Sequence, residues 1–223
     1  MSQNTTPTDT NRKESNVAVD YDVEPIRIRD PVAEALAVLE PGEPFVLTYE
    51  DLVKAAGHSC PTASGAYRIA QLSLDALYPE DLPVRGDVEV RAPEPREDAT
   101  YGVMGRLISY VTGAAQEDGF GGLGNGHGDR RNLLVYDAFE PDSAAPTFRF
   151  HRTDTDDTVE VTYDVGAVPD GGPALGTLPR MIEGTASEEE RRVFAEAWHG
   201  RVQTVLSDAS LFSVRTVDRE RRA

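Results

Sequence analysis

Three strand-like segments follow one another in the second half of this chain, at Asn132–Phe139, Thr147–Arg152 and Thr158–Val165. The last alternates cleanly, with Val159, Val161 and Tyr163 falling on one face. A helix precedes them and another follows, so the order is helices, a strand, a helix, several strands, a helix. A doubly wound parallel sheet requires strict alternation of strand and helix, which is missing here. The pattern therefore predicts the α+β class.

The helical segments announce themselves through their ends. Asp30-Pro31 is an N-cap followed by proline at the first helical position, and Val32, Leu36 and Leu39 recur at helical spacing up to Pro41-Gly42. Thr48 to Asp51 reads as a capping box that opens a short helix through Ala56, stopped by Gly57. Pro61 begins the next helix. Its apolar stripe runs through Ala63, Ala66, Tyr67, Ala70, Leu74 and Leu77, and Pro79 ends it. Val84, Val88 and Val90 predict a strand near 84–92. Asp98 is placed to cap a helix from Ala99 to about Thr112, in which Gly102 and Gly105 suit close packing. Ser187 to Glu190 is a further capping box, opening a helix to about Leu206, and Leu211 to Val217 reads as a final strand. Residues 1–22 are polar without apolar periodicity and are expected to be a disordered tail. Residues 23–217 are expected to form one domain, and 218–223 a charged, frayed end.

The net charge of −17 works against binding to nucleic acid or to an anionic membrane. No run approaches the roughly 18 apolar residues of a membrane span, and no export signal opens the chain. The single cysteine excludes an internal disulfide and a zinc ribbon, and a reducing cytoplasm is the expected compartment. Lys13 and Lys54 are the only lysines beside abundant arginine and acid. Such a composition is expected of a halophilic cytoplasm, where salt screens self-repulsion.

The chemistry-bearing stretch is Gly57-His58-Ser59-Cys60-Pro61-Thr62-Ala63-Ser64-Gly65. It sets the only cysteine two positions after one of four histidines, at a helix start. Imidazole and thiolate suit zinc, iron or copper and suit magnesium poorly. The positive end of a helix also favours a metal-ligating sulfur. Two ligands do not complete a shell. His127, in the loop Gly124-Asn125-Gly126-His127-Gly128, is the candidate third ligand, with acidic or water ligands completing the site. Two other readings stay open for Cys60: a haem thiolate through the Cys60-Pro61 pair, and a nucleophile with His58 or His127 as base. Against the second, His58 sits so close in sequence that its ring has little room to swing round. The Gly119–Gly128 loop has neither the lysine nor the strand-then-helix setting of a phosphate loop, and is expected to be a hairpin-like connector or lid. His151 and His199 are expected to be structural.

His58-Ser59-Cys60-Pro61 with Gly65 resembles the HxCP…G signature of the formylmethanofuran dehydrogenase FmdE-like family. Asp98-Ala99, Thr112-Gly113, the glycine-rich loop and Arg131-Asn132-Leu133-Leu134 continue the resemblance in order, over roughly residues 45–165. It implies an α+β domain with an antiparallel sheet and helices packed against it. It also implies a homodimer and one metal, usually zinc, on His58 and Cys60, with Gly65 and Pro61 shaping the helix start and Asn132 holding the loop. The departures are Ala56, Pro95 and Ala114, where the family carries a further histidine and cysteines. With the zinc ribbon also missing, His127 is expected to compensate. The function expected is a metal-binding accessory protein of unspecified substrate. The alternatives are a metal-dependent enzyme acting on a small carbonyl or one-carbon carrier, and a carrier of haem or another metallocofactor. A small-molecule or metallocofactor ligand is the expected partner, and no nucleic acid or membrane.

Overall fold

The structure, a computed structural model, describes residues 17–217, so the expected tail up to residue 16 and the Arg-rich end from 218 lie outside the described residues. Residues 17–22, expected to be part of a disordered tail, run as a segment tied to the fold. The backbone N–H of Asp22 donates to Gln203 Oε1 (3.0 Å), and Gln203 Nε2 donates back to the Asp22 carbonyl (2.9 Å).

A short ribbon pairs β1 (Ile26–Ile28) with β2 (Phe45–Leu47). The main sheet has five strands in the order β4-β3-β5-β6-β7, formed by β3 (Val88–Arg91), β4 (Leu134–Val135), β5 (Thr147–Arg152), β6 (Thr158–Tyr163) and β7 (Phe212–Thr216). Every pairing is antiparallel except β3 with β4. The class is α+β with a largely antiparallel sheet.

Alternation sorts the two faces of that sheet. Val90, Phe150 and Val159 lie in register across three strands, and Phe148 opposes Val161. With Val88 and Tyr163 they form one buried apolar face. The opposite face carries a polar ladder in which Arg149 Nε donates to Glu160 Oε2 (2.8 Å) and Arg215 Nε to Glu160 Oε1 (2.7 Å). Glu160 is buried, and its two arginines supply the pairing that a buried carboxylate needs.

Helix α3 (Pro61–Leu77) lies on the apolar face, flanked by α4 (Tyr101–Thr112) and α6 (Glu188–Ser207). The smaller helices are α1 (Pro31–Ala35), α2 (Tyr49–Ala56) and α5 (Leu178–Ile182). The caps fall where the sequence puts them. Asp30, Thr48 and Ser187 each accept a backbone N–H from the first turn, with full capping boxes at Thr48–Asp51 and Ser187–Glu190. Asp98 Oδ1 accepts from the N–H groups of Thr100 and Tyr101, both at 2.8 Å. Among the described residues no helix is long and apolar enough to cross a membrane.

Three expected elements come out shorter by several residues, and the expected ends at Ala99, Val165, Leu211 and Val217 move in by one or two. The strand expected over 84–92 keeps only Val88–Arg91, while Val84 makes an isolated bridge to Arg29. The strand expected over Asn132–Phe139 shrinks to β4, because Asn132 and Asp137 take left-handed φ values of 58° and 52° that break extended pairing. Helix α1 stops at Ala35 rather than continuing to Leu39, and Ala37 has φ 55°.

Candidate functional site

Residues 57–60 link α2 to α3. Gly57 ends α2 in the left-handed conformation (φ 76°), and Cys60 is fully extended (φ −155°, ψ 167°). Alternate side chains of an extended segment point to opposite sides. Ser59 accordingly faces inward, and His58 and Cys60 face the other way together.

The inward side is tightly tied. Tyr21 Oη donates to Ser59 Oγ (2.9 Å), Tyr49 Oη lies 3.0 Å from the same oxygen, and Trp198 Nε1 donates to the Ser59 carbonyl (2.8 Å). Tyr21 Oη is also 2.5 Å from His199 Nδ1. These contacts reach Ser59 from the N-terminal segment, from α2 and from α6. They fix the backbone from which the two outward side chains project.

On the outward side, His58 Nε2 lies 3.4 Å from Cys60 Sγ. His58 Nδ1 lies 3.1 Å from the Ala56 carbonyl oxygen. A carbonyl only accepts, so Nδ1 carries a hydrogen, and in that tautomer Nε2 is the nitrogen with the lone pair, facing the sulfur. Cys60 Sγ in turn accepts the Ala63 N–H (3.4 Å), serving as the cap of α3. The pair is reachable from solvent: His58 is exposed and Cys60 half-buried. The expectation that His58 sits too near in sequence to turn towards Cys60 is corrected by the 3.4 Å contact itself, made from a bend at His58 that leads into the extended Cys60.

His127 does not join them. The glycine-rich loop closes on itself as a tight connector, with Leu123 and His127 exchanging both backbone hydrogen bonds at 2.9 Å. That holds His127 Nε2 at 3.3 Å from the Pro31 carbonyl, at the start of α1. Neighbouring Arg130 bonds Asp30, whose other partner Arg85 donates to the Tyr110 carbonyl near the end of α4. The first turn of α3 instead shares a cavity with the first turn of α4, through Thr62, Thr100 and Tyr101. Among the described residues no group of three or more His, Cys, Asp or Glu side chains is arranged to hold a metal ion. The three-ligand set His58, Cys60 and His127 reduces to a pair.

The inward cluster Tyr21–Ser59–Tyr49–His199 is absent from the sequence reading, which treats His199 as structural. Its only local trace is the adjacency Trp198-His199, and it closes through contacts between residues 38 and 178 positions apart. Burial raises the Tyr21 and Tyr49 phenols and lowers the His199 imidazole. An imidazole whose folded pKa lies below its unfolded value stays neutral in the fold while the unfolded chain takes up a proton. The stability this contributes is complete above the unfolded pKa of about 6.5. It is lost as pH falls from there through the folded value. We expect the His199 ring carbons to titrate below about 6.5 by NMR. The urea midpoint should also fall less between pH 8 and pH 5 in a His199→Gln variant. A His199 midpoint at or above the unfolded value would refute this.

A cavity of about 450 Å³ opens beside the first turns of α3 and α4, lined among others by Thr62, Tyr101, Met104 and Tyr163. Cys60 is not among its lining residues.

Neither a protein-family model nor a curated protein sequence matches the chain. Among solved structures it is similar to a tungsten formylmethanofuran dehydrogenase FmdE-like protein from Syntrophus aciditrophicus. The TM-score is 0.39 at 17% identity, over 79% of this chain and 74% of that one. At that level the likeness carries no weight in reading the site, whose chemistry comes from its own residues.

Proposed function

We propose that this chain is a metal-binding accessory protein holding one transition-metal ion, zinc by the chemistry of its donors, on His58 Nε2 and Cys60 Sγ. The observation that carries the reading is the 3.4 Å separation of these atoms. Nitrogen and sulfur ligands at about 2.0 and 2.3 Å from a tetrahedral zinc lie roughly 3.5 Å apart, so the pair has the spacing of one edge of such a site. The hydrogen bond from His58 Nδ1 to the Ala56 carbonyl supports it, because metal-bound imidazoles are commonly oriented by a backbone carbonyl on the other nitrogen. Two protein donors leave the remaining positions to water, to a small ligand or to a second copy of the chain. An incomplete shell suits reversible binding or transfer better than a structural ion. Bound there, the metal would act as a Lewis acid towards whatever fills those positions. His58 and Cys60 orient it, and the Ser59 anchor keeps them apart at a fixed distance.

The test is elemental analysis of purified protein beside Cys60→Ser and His58→Ala. About one zinc per chain is expected in the parent, with at least a tenfold loss of affinity in each variant. Cys60→Ser keeps a side-chain acceptor for the Ala63 N–H, so its thermal midpoint should stay close to that of the parent. Metal at background level in the parent, after incubation with zinc and desalting, overturns the reading.

The same geometry favours a second reading, a thiol nucleophile with His58 as its base. Nε2 stands where it can take the Cys60 proton as sulfur attacks a carbonyl carbon, and the Ala56 carbonyl holds the ring in the required tautomer. Metal-free protein alkylated by iodoacetamide distinguishes it. A rate that falls about tenfold or more in His58→Gln supports the nucleophile, and an unchanged rate removes it.

A further inference from the structure

Two arginines share one carboxylate where the glycine-rich loop meets α1. Arg85 precedes β3 and Arg130 follows the loop, and their stems run side by side past the end of α4. A methyl group at Gly113 would stand 3.0 Å from Arg85 Cγ and 3.1 Å from Arg130 Cδ, so the glycine that closes α4 leaves the room they occupy. Both guanidiniums then meet Asp30. Arg130 Nη2 donates to both carboxylate oxygens at 2.7 Å, and Arg85 Nη1 lies 3.5 Å from Oδ2. The side chains of Arg85 and Arg130 are only 18% and 16% exposed, so water screens their charges poorly.

The charges in this cluster do not cancel. Two cations face one anion, in a chain whose 39 acidic residues far outnumber its 22 basic ones. The Tyr110 carbonyl accepts from Arg85 Nη2, and the end of α4 adds about half a negative charge, less than the unit that is missing. The neighbouring side chains do not supply it. His127 donates to the Pro31 carbonyl, and the Asp129 carboxylate is taken by Arg131. Burial, and then the charge of Arg130, hold Arg85 below the usual arginine range in spite of Asp30. Donors exceed acceptors as well. The Nε groups of both arginines are buried without a hydrogen-bond partner. Arg130 Nη1 also has no partner among the described residues, but it is not buried and opens to solvent.

A largely buried cation without a full counter-charge is costly to keep, and an anion arriving from solvent removes that cost. We propose that Arg85 and Arg130 form a site for a small oxyanion, a phosphate or carboxylate group held by Arg130 Nη1 and the Arg85 guanidinium. The planar fork of arginine matches either group. Asp30 holds one side of the pair in place and the ligand occupies the other, so binding neutralises the cluster. The site stands apart from metal binding at His58 and Cys60, because none of its contacts uses either side chain.

The test is a titration of the full chain without added metal, at constant ionic strength with sodium chloride making up the balance. Inorganic phosphate is the probe in one arm and acetate in the other, and the arginine Nε–Hε groups are followed by ¹H–¹⁵N NMR. At least one anion should shift the Arg85 and Arg130 signals saturably and raise the thermal midpoint, and the arm that does so identifies the phosphoryl or the carboxylate group. Arg85→Gln removes the excess charge and leaves Asp30 paired with Arg130. It should weaken that anion by about tenfold or more, while its thermal midpoint without the anion stays close to that of the parent. Asp30→Asn keeps an acceptor for α1 but leaves both cations uncompensated, and should tighten the anion by about threefold or more. No saturable shift with either anion, unchanged affinity in Arg85→Gln, or binding no tighter in Asp30→Asn than in the parent would each overturn the proposal.

Discussion

Replacing Asp30 with alanine is expected to remove about 3–5 kcal/mol of stability, read as a large fall in the urea unfolding midpoint at neutral pH. Asp30 is 3% exposed and serves three partners. Its Oδ1 caps α1 by accepting from Val32 N (3.0 Å) and Ala33 N (3.3 Å). Both of its oxygens accept from Arg130 Nη2 at 2.7 Å, and Oδ2 lies 3.5 Å from Arg85 Nη1. Alanine would leave two largely buried guanidiniums beside each other with no counter-ion. A broken buried pair of this kind loses more than the attraction itself, because the surviving charges remain desolvated. Lost capping adds about 0.5–2 kcal/mol, though the two losses overlap and do not simply sum. Against a total of about 5–15 kcal/mol for a typical domain, this single change consumes much of the margin. Asp30→Asn separates the parts. The amide oxygen can still cap α1 but brings no charge to the arginines, so its midpoint should fall between those of the parent and the alanine variant. An alanine variant within about 1 kcal/mol of the parent would show that the arginines find other partners at little loss.

Asp30 also marks where sequence reading stops. Its capping role was legible, because a cap and the amides that it satisfies lie within three residues. The same holds for Thr48, Ser187 and Asp98, and for the faces of β6, which follow from alternation alone. Arg85 and Arg130, 55 and 100 positions further on, carry no local mark as its partners. Beside the glycine-rich loop, Arg131 pairs locally with Asp129. Arg130 instead crosses to Asp30 and ties the loop to α1. That one long-range choice helps hold His127 away from Cys60.

In the candidate site, the pairing of His58 with Cys60 was legible because only one residue separates the two side chains at a helix start. The Ser59 anchor and the cavity were not. Ser59 is held by residues from three separate elements, and the cavity is walled by α3, α4, β6 and the loop before β5. Nothing in the spacing of either set announces the other members. The edge strand β4 shows the converse error. Apolar residues at 133–135 resemble a longer strand, but pairing requires extended backbone on both sides of them, and Asn132 and Asp137 do not supply it.

Gly65→Ala is the second change with a large expected effect, about 1–3 kcal/mol of destabilisation, against the usual direction of a glycine-to-alanine change inside a helix. On propensity alone, alanine in the second turn of α3 would gain about 1 kcal/mol. The surroundings forbid that gain. A methyl group at Gly65 would stand 2.5 Å from Tyr163 Cε1 and 2.7 Å from Cδ1. The ring has no easy retreat, being 1% exposed, stacked on Phe212 and tethered through its hydroxyl to the Pro61 carbonyl. Relief therefore requires α3 to lift from β6 at the centre of the core, or Tyr163 to break its stack and move into the cavity beside Thr62. The first route lowers the unfolding midpoint. The second also narrows the cavity beside Thr62. A double-mutant cycle with Tyr163→Leu identifies the clash as the cause. Once the ring is gone, Gly65→Ala should lose most of its penalty, leaving a coupling of at least about 1 kcal/mol. If Gly65→Ala stabilises the parent, or is equally harmful with leucine at position 163, close contact between α3 and Tyr163 is not what requires a glycine there.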